Sequence, residues 1–162
     1  MDAVSYFTFV RDIPFRIPLS VHEPDYHCGG KHIVLKTLLS SIGFKVRYTG
    51  CLWSWSSLDL PESIKKIPHE DRLGHLYLEV YNTEQARWMT VDATWDKGLA
   101  SKLPVSQWDG KSDTVLAVKS IEMIKEGLDE YDKPSEAEWA NTLKANGKFF
   151  EAFNKWLESI RT

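Results

Sequence analysis

The chain has 162 residues and only two cysteines, Cys28 and Cys51. One possible pair cannot staple a loop-rich scaffold, so the fold must rest on a hydrophobic core. Long hydrophobic runs are also missing, which excludes a membrane-spanning helix and points away from membrane partners. The opening Met1-Asp2-Ala3-Val4-Ser5-Tyr6-Phe7 has neither a basic stretch nor a small-residue cleavage site. No signal peptide is expected there, and a cytoplasmic location is. Basic residues are not in excess, since 20 Lys and Arg stand against 23 Asp and Glu, for a formal charge of −3. No general basic field is available for nucleic acid. There is no internal repeat, low-complexity tract or carboxylate-rich calcium loop.

What is present suits one globular domain over residues 1–162, with 43% hydrophobic residues. Its core should span about residues 7–120, with a C-terminal helical extension at about 134–161. Asp2 caps a short helix over 3–11, which Pro14 forbids from continuing. Ile33, Leu35, Leu38, Leu39 and Ile42 recur at helical spacing and predict a helix over 28–42 that stops at Gly43. The alternation in residues 44–48 predicts a strand running on toward Trp53. Residues 54–73 form a long connection of the kind that is functional or ordered by a short helix. His75–Tyr81 and Arg87–Thr94 alternate as two strands joined by a hairpin loop, and Thr114–Lys119 reads as a further strand. Ser135 and Glu138 form a capping box that opens a final helix. Trp139, Leu143, Phe150, Phe153, Leu157 and Ile160 line that helix, and Gly147 marks a kink or break. The order predicts an α+β fold, with helices packed on one side of an antiparallel sheet.

Cys28 sits where a loop turns into a helix, where free N–H groups and the helix dipole favour a thiolate. Gly29 and Gly30 are poor residues for a first helical turn, and their small size lets another chain approach the sulfur closely. Cys51, beside Leu52 and Trp53, reads instead as a small core residue. In the hairpin, setting Val80 opposite Arg87 also sets His75 opposite Asp92, with both side chains on one face. Cβ atoms so placed lie about 4.5–5.5 Å apart. A carboxylate there holds one imidazole nitrogen and leaves the other for a nucleophile.

These segments resemble the transglutaminase-like superfamily. Cys28-Gly29-Gly30-Lys31 through Gly43-Phe44-Lys45-Val46-Arg47-Tyr48 is similar to its nucleophile helix and following strand. Gly74–Tyr81 is similar to its histidine strand, Trp88–Thr94 to its tryptophan-to-aspartate strand, and Phe9–Phe15 to the short helix before the core. Leu76-Tyr77 and Ala93 depart from the residues usual after the histidine and the aspartate. The resemblance covers roughly residues 7–95. It implies a papain-like core, with the nucleophile helix packed on an antiparallel sheet. It also implies a cysteine acyl-transfer or hydrolase activity on an amide bond in a peptide, a side chain or a glycopeptide. Cys28 would be the nucleophile, His75 the base and Asp92 the orienting residue, with no cofactor and no metal. The Cys28 N–H supplies one oxyanion donor, and Tyr26, His27 or a loop tryptophan supplies the second.

Other readings compete. His22, His27, Cys28 and His32 lack the paired spacing of a structural zinc site. His69 reads as a solvated loop residue. Of seven tryptophans, Trp88, Trp139 and Trp156 read as core. Trp53, Trp55, Trp95 and Trp108 flank loops near the expected site, where they either line a cleft or pack the loops down. Tyr26, His27, Trp53, Trp55 and Trp95 are thus the candidate substrate-binding residues. A monomer or a weak homodimer through the final helix is expected. Rival functions are a non-catalytic peptide-binding module of the same fold, an amine-accepting transglutaminase, and acetyl transfer from a thioester cofactor. The chain is short for the last of these.

Overall fold

The computed structural model describes residues 1–162. Helix α1 (Ala3–Arg11) begins where the Asp2 carboxylate accepts the Ser5 N–H at 2.8 Å. An irregular stretch leads to α2 (Cys28–Ser41), which ends as Gly43 turns left-handed at φ +91°. Strand β1 (Val46–Ser54) follows, then a 3-10 turn at Trp55–Ser57 and the single-turn helix α3 (Glu62–Lys65). Strands β2 (Arg72–Asn82) and β3 (Arg87–Val91) form the hairpin, and β4 (Glu122–Leu128) leads into α4 (Glu136–Ile160). The four strands make an antiparallel sheet in the order β3-β2-β1-β4, so the fold is α+β. No helix is long and apolar enough to cross a membrane.

The hairpin register differs from the expected one by two residues. Val80 faces Met89 and Asn82 faces Arg87. Asn82 remains in the strand, and its side chain accepts the Gln85 N–H, leaving Thr83–Ala86 as the loop. A shift of two keeps every side chain on its face, whereas a shift of one would have exchanged the faces. His75 and Asp92 therefore still share a face, but as diagonal neighbours beyond the paired stretch, which ends at Leu78 and Val91.

Residues 114–119 are not a strand. Their backbone groups have other work: Thr114 N–H donates to Thr90 O, and Ala117 N–H to the Asp92 carboxylate. The fourth strand is β4, exposed over most of its length and carrying Glu122, Lys125 and Glu126. A charged edge strand carries little hydrophobic alternation, which hides it from pattern reading.

The sheet is covered on both faces, not one. Leu76, Leu78, Val80, Met89 and Val91 pack under α2 and α1 with Phe7, Leu35 and Leu39. Cys51, Trp53 and Tyr77 share the opposite core with Trp55, Trp95, Phe149, Phe150 and Phe153. Helix α4 is thus integral to the core rather than an extension of it. It runs through Gly147 without a break, and its Asn154 amide bonds both the N–H and the C=O of Ile17. His69 is not free in solvent: its ring stacks on Phe149 with centroids 3.8 Å apart. Trp108 lies far from the expected site, against Phe7, with its indole N–H on Ser112 O.

Phe153 is fully buried between Trp55, Trp95 and Phe149. Phe153→Ala should lower the unfolding free energy by about 3–5 kcal/mol, read from urea titration at unchanged m-value.

Candidate active site

The first turn of α2 is built around contacts that its two glycines permit. A Cβ on Gly30 would lie 2.0 Å from the Asp25 carbonyl oxygen, so only glycine lets the Asp25–His27 turn fold back onto the helix. The close approach expected at Gly29 and Gly30 is therefore made by the chain's own preceding turn. There the His27 ring Nδ1–H and the His27 backbone N–H both donate to Asp25 Oδ1. Burial works to lower the His27 pKa, but the Asp25 bond and the Cys28 charge raise it overall.

Lys31 and His32, the next two residues, are completely buried. The Lys31 ammonium donates to Arg11 O, Ile13 O and Thr94 O at 2.9, 2.9 and 2.7 Å. It ties the helix start to the end of α1 and to the segment after β3. Burial pushes its pKa down to about 7 against the pull of Asp96, Asp92 and Asp12. His32 Nδ1–H donates to Cys28 O at 2.8 Å, and its Nε2 accepts the Ala93 N–H at 2.9 Å. Accepting at Nε2 requires the neutral ring, and burial accordingly brings its pKa down to about 4. His32 is thus a neutral spacer beneath the site. With His27 given to Asp25 and His22 exposed, these histidines have separate partners. No cluster of three or more His, Cys, Asp and Glu side chains is disposed to hold a metal.

Asp92 is wholly buried just beyond β3. Its Oδ1 accepts the Thr94 N–H and hydroxyl at 3.1 and 2.6 Å. Its Oδ2 accepts the Ala117 N–H and the His75 Nε2–H, both at 2.8 Å. Burial alone would raise this carboxyl, but the His75 charge and the donors hold it well below the usual carboxylate range. His75 is fixed in turn. Its Nε2 is held by Asp92, and the ring shares the wall of one cavity with Cys28. Burial works to lower the His75 pKa, yet Asp92 and Cys28 raise it well above the ordinary histidine value.

The structure thus brings Cys28 and His75 to one cavity wall, with His75 hydrogen-bonded to Asp92 behind it. Burial works to raise the Cys28 thiol, but His75, the His27 charge and the Leu76 N–H outweigh it and bring it to about 7. Cys51 pairs directly across from His75 in the sheet, but it is buried and its pKa is raised by that burial.

A cavity of about 290 Å³ opens at Cys28 and His75. His27, Trp53, Trp55 and Trp95 line it, as grouped from sequence, whereas Tyr26 does not: it is 44% exposed and faces Arg16 as an isolated bridge. Trp139, read from sequence as core, lines the cavity together with Tyr131. Tyr131 had no sequence signal, because it lies in a polar linker and reaches the site only through the return of the chain from β4 to α4. Its hydroxyl stands 3.4 Å from the position a Cβ on Gly29 would take. Burial and the charges of Cys28 and Asp25 push its pKa up to about 12, so the phenol stays protonated.

No family model, curated protein or solved structure matches this chain. Fold and site together define an α+β domain with a cysteine at a helix start, facing a histidine held by a buried aspartate.

Alkylation of Cys28 by iodoacetamide should rise with pH through about 7, where its thiolate forms, while Cys51 stays unlabelled in the folded protein. His75→Ala removes the neighbouring group that most lowers the Cys28 pKa, and should move that inflection upward by about one pH unit or more. Peptide mapping of labelled samples across pH measures both. An unmoved inflection in His75→Ala would show that the histidine does not act on the sulfur.

Proposed function

We propose that the protein is a cysteine-dependent acyl-transfer enzyme that opens an amide bond through a thioester on Cys28, on a transglutaminase-like, papain-like core. The observation that carries this reading is the grouping of Cys28 and His75 at one cavity, with His75 held by the buried Asp92, so that each member has a distinct chemical task. The sequence resemblance supports it over residues that include all three positions.

In this reading Cys28 and His75 react as a thiolate–imidazolium pair. The Cys28 sulfur attacks the amide carbonyl and forms a tetrahedral oxyanion. The first N–H groups of α2 have no intrahelical acceptor, so the Cys28 N–H is available to that oxygen. The Tyr131 hydroxyl, standing over the same turn, is the second donor in this proposal. Collapse of the adduct breaks the C–N bond, and the His75 proton goes to the leaving amine. Neutral His75 then takes a proton from water as its oxygen attacks the thioester, and the acid leaves with the Cys28 thiolate restored. Asp92, with every lone pair engaged, holds the His75 ring in place throughout. Peptide, side-chain and glycan-peptide amides all offer the required bond. Water is the proposed acceptor, because the cavity that opens at Cys28 and His75 has no Asp or Glu in its wall to hold an amine.

Acid quenching during turnover of an amide substrate should trap one acyl group on Cys28 by intact mass. Cys28→Ala and His75→Ala should each lower kcat by at least about 10³-fold. Excess primary amine should leave hydrolysis the main outcome, and dominant transfer to the amine would make the protein an amine-accepting transferase. Absence of any adduct, together with undiminished peptide binding by Cys28→Ala, would replace the enzyme by a binding module.

A further inference from the structure

We infer that the cavity beside Cys28 receives the acyl half of the substrate, and that this half carries a large apolar group of aromatic size with an oxygen able to accept a hydrogen bond. This rests on the acyl-transfer reading above and narrows it to a substrate class.

The first support is the composition of the wall. Phe15, Trp53, Trp55, Trp95, Val118 and Phe150 form much of it, and it reaches Cys28 and His75 without a break. A sugar can stack on an aromatic face but needs many polar partners around its hydroxyls, and a glutamine side chain presents a thin polar amide. A mostly apolar wall of this kind is matched better by a ring or a branched aliphatic group.

The second support is independent. The indole N–H groups of Trp55 and Trp139 are buried and have no acceptor in the protein. Trp55 is only 3% exposed. Buried N–H groups are nearly always paired, so two orphans in rings that line one cavity point to an acceptor supplied from outside, reached by a turn of the rings because both nitrogens are covered in the free protein. By contrast, the Trp95 N–H donates to Ala117 O and the Trp108 N–H to Ser112 O. A peptide carbonyl or a hydroxyl on the acyl group would fill this role.

The third support assigns the side of the scissile bond. The departing amine takes a proton from His75 and must return to water, and an apolar cavity wall would penalise that species. The acyl group stays attached through the thioester and is the part that gains from burial. A separate polar hollow of about 220 Å³ shares His27, Pro134 and Trp139 with the cavity and includes Glu23, Asp25 and Lys133. It is a more suitable exit for a polar amine.

The test uses thiophenyl thioesters, which acylate a reactive thiolate whatever the acyl group, with thiophenolate leaving as the new thioester forms. Three acyl groups are compared: N-acetylphenylalanyl, acetyl, and the γ-acyl group of an N-acetylglutamate amide. Rates of Cys28 acylation by intact mass are divided by rates with a small free thiol, which removes intrinsic reactivity. The N-acetylphenylalanyl ratio should exceed the other two by about 100-fold. Thr142→Trp, which places a ring in the cavity from α4, should reduce that preference at least about tenfold. A second measurement needs no variant. N-acetylphenylalaninamide should protect Cys28 from iodoacetamide, and acetamide or N-acetylglucosamine at the same concentration should not. Equal normalised acylation by all three groups, with no selective protection, would overturn the cavity assignment and leave Cys28 as the nucleophile. A Cys28 that alkylates but accepts no acyl group would overturn the underlying reading as well.

Discussion

The Asp92 carboxylate is the interaction on which the rest of the site depends. An ion removed from water costs several kcal/mol unless its lone pairs are met by donors. Here His75, Thr94 and Ala117 meet them, and His32 lies 3.6 Å away as a neutral neighbour. Meeting them dictates local structure. β3 gives up its ladder after Val91 so that Thr94 can turn back on the carboxylate. Residues 114–117 forgo a strand so that one N–H can reach it, and Thr114 Oγ1 accepts the Asp92 N–H in return. The irregular backbone beyond the hairpin is the means by which a buried charge is satisfied.

The start of α2 is constrained from the opposite side. Lys31 anchors it to three backbone carbonyls from two other segments, and His32 pins it to Ala93. Gly30 lets the Asp25–His27 turn press against it. Cys28 therefore stands between two histidines, each hydrogen-bonded to an aspartate: His75 with Asp92, and His27 with Asp25. Both raise the positive potential at the sulfur, which is why the Cys28 thiol comes down to about 7 in spite of its burial. Rigidity here has a chemical purpose, since a nucleophile and its base must be held close before substrate arrives.

The aromatic core on the other face of the sheet is continuous with the cavity wall. Phe150 belongs to both, and Trp55 touches Phe149, Phe150 and Phe153 while lining the space beside Cys28. Helix α4 thus contributes to stability and to the shape of the site through the same residues. Tyr131, in the segment leading into that helix, reaches the first turn of α2 for the same topological reason.

By itself the sequence determined the helices, because caps and spacing are local: Asp2, the Ser135–Glu138 capping box and the Gly43 stop stand where they were read. It also determined that His75 and Asp92 share a face, since strand alternation survives a register shift of two. Tertiary structure decided what no local pattern encodes. The hairpin register was set by the Asn82 turn and by the end of pairing at Val91. The exposed strand β4 exists because β1 offers it an edge, not because its side chains alternate. Tyr131 and Trp139 joined the site, and Tyr26 and Trp108 stayed out of it, according to where distant segments return. Lys31 and His32 looked like ordinary helix residues, and their complete burial followed from packing against Arg11, Ile13, Ala93 and Thr94. Local periodicity fixes which residues face together, but only the closing of long loops decides which faces meet.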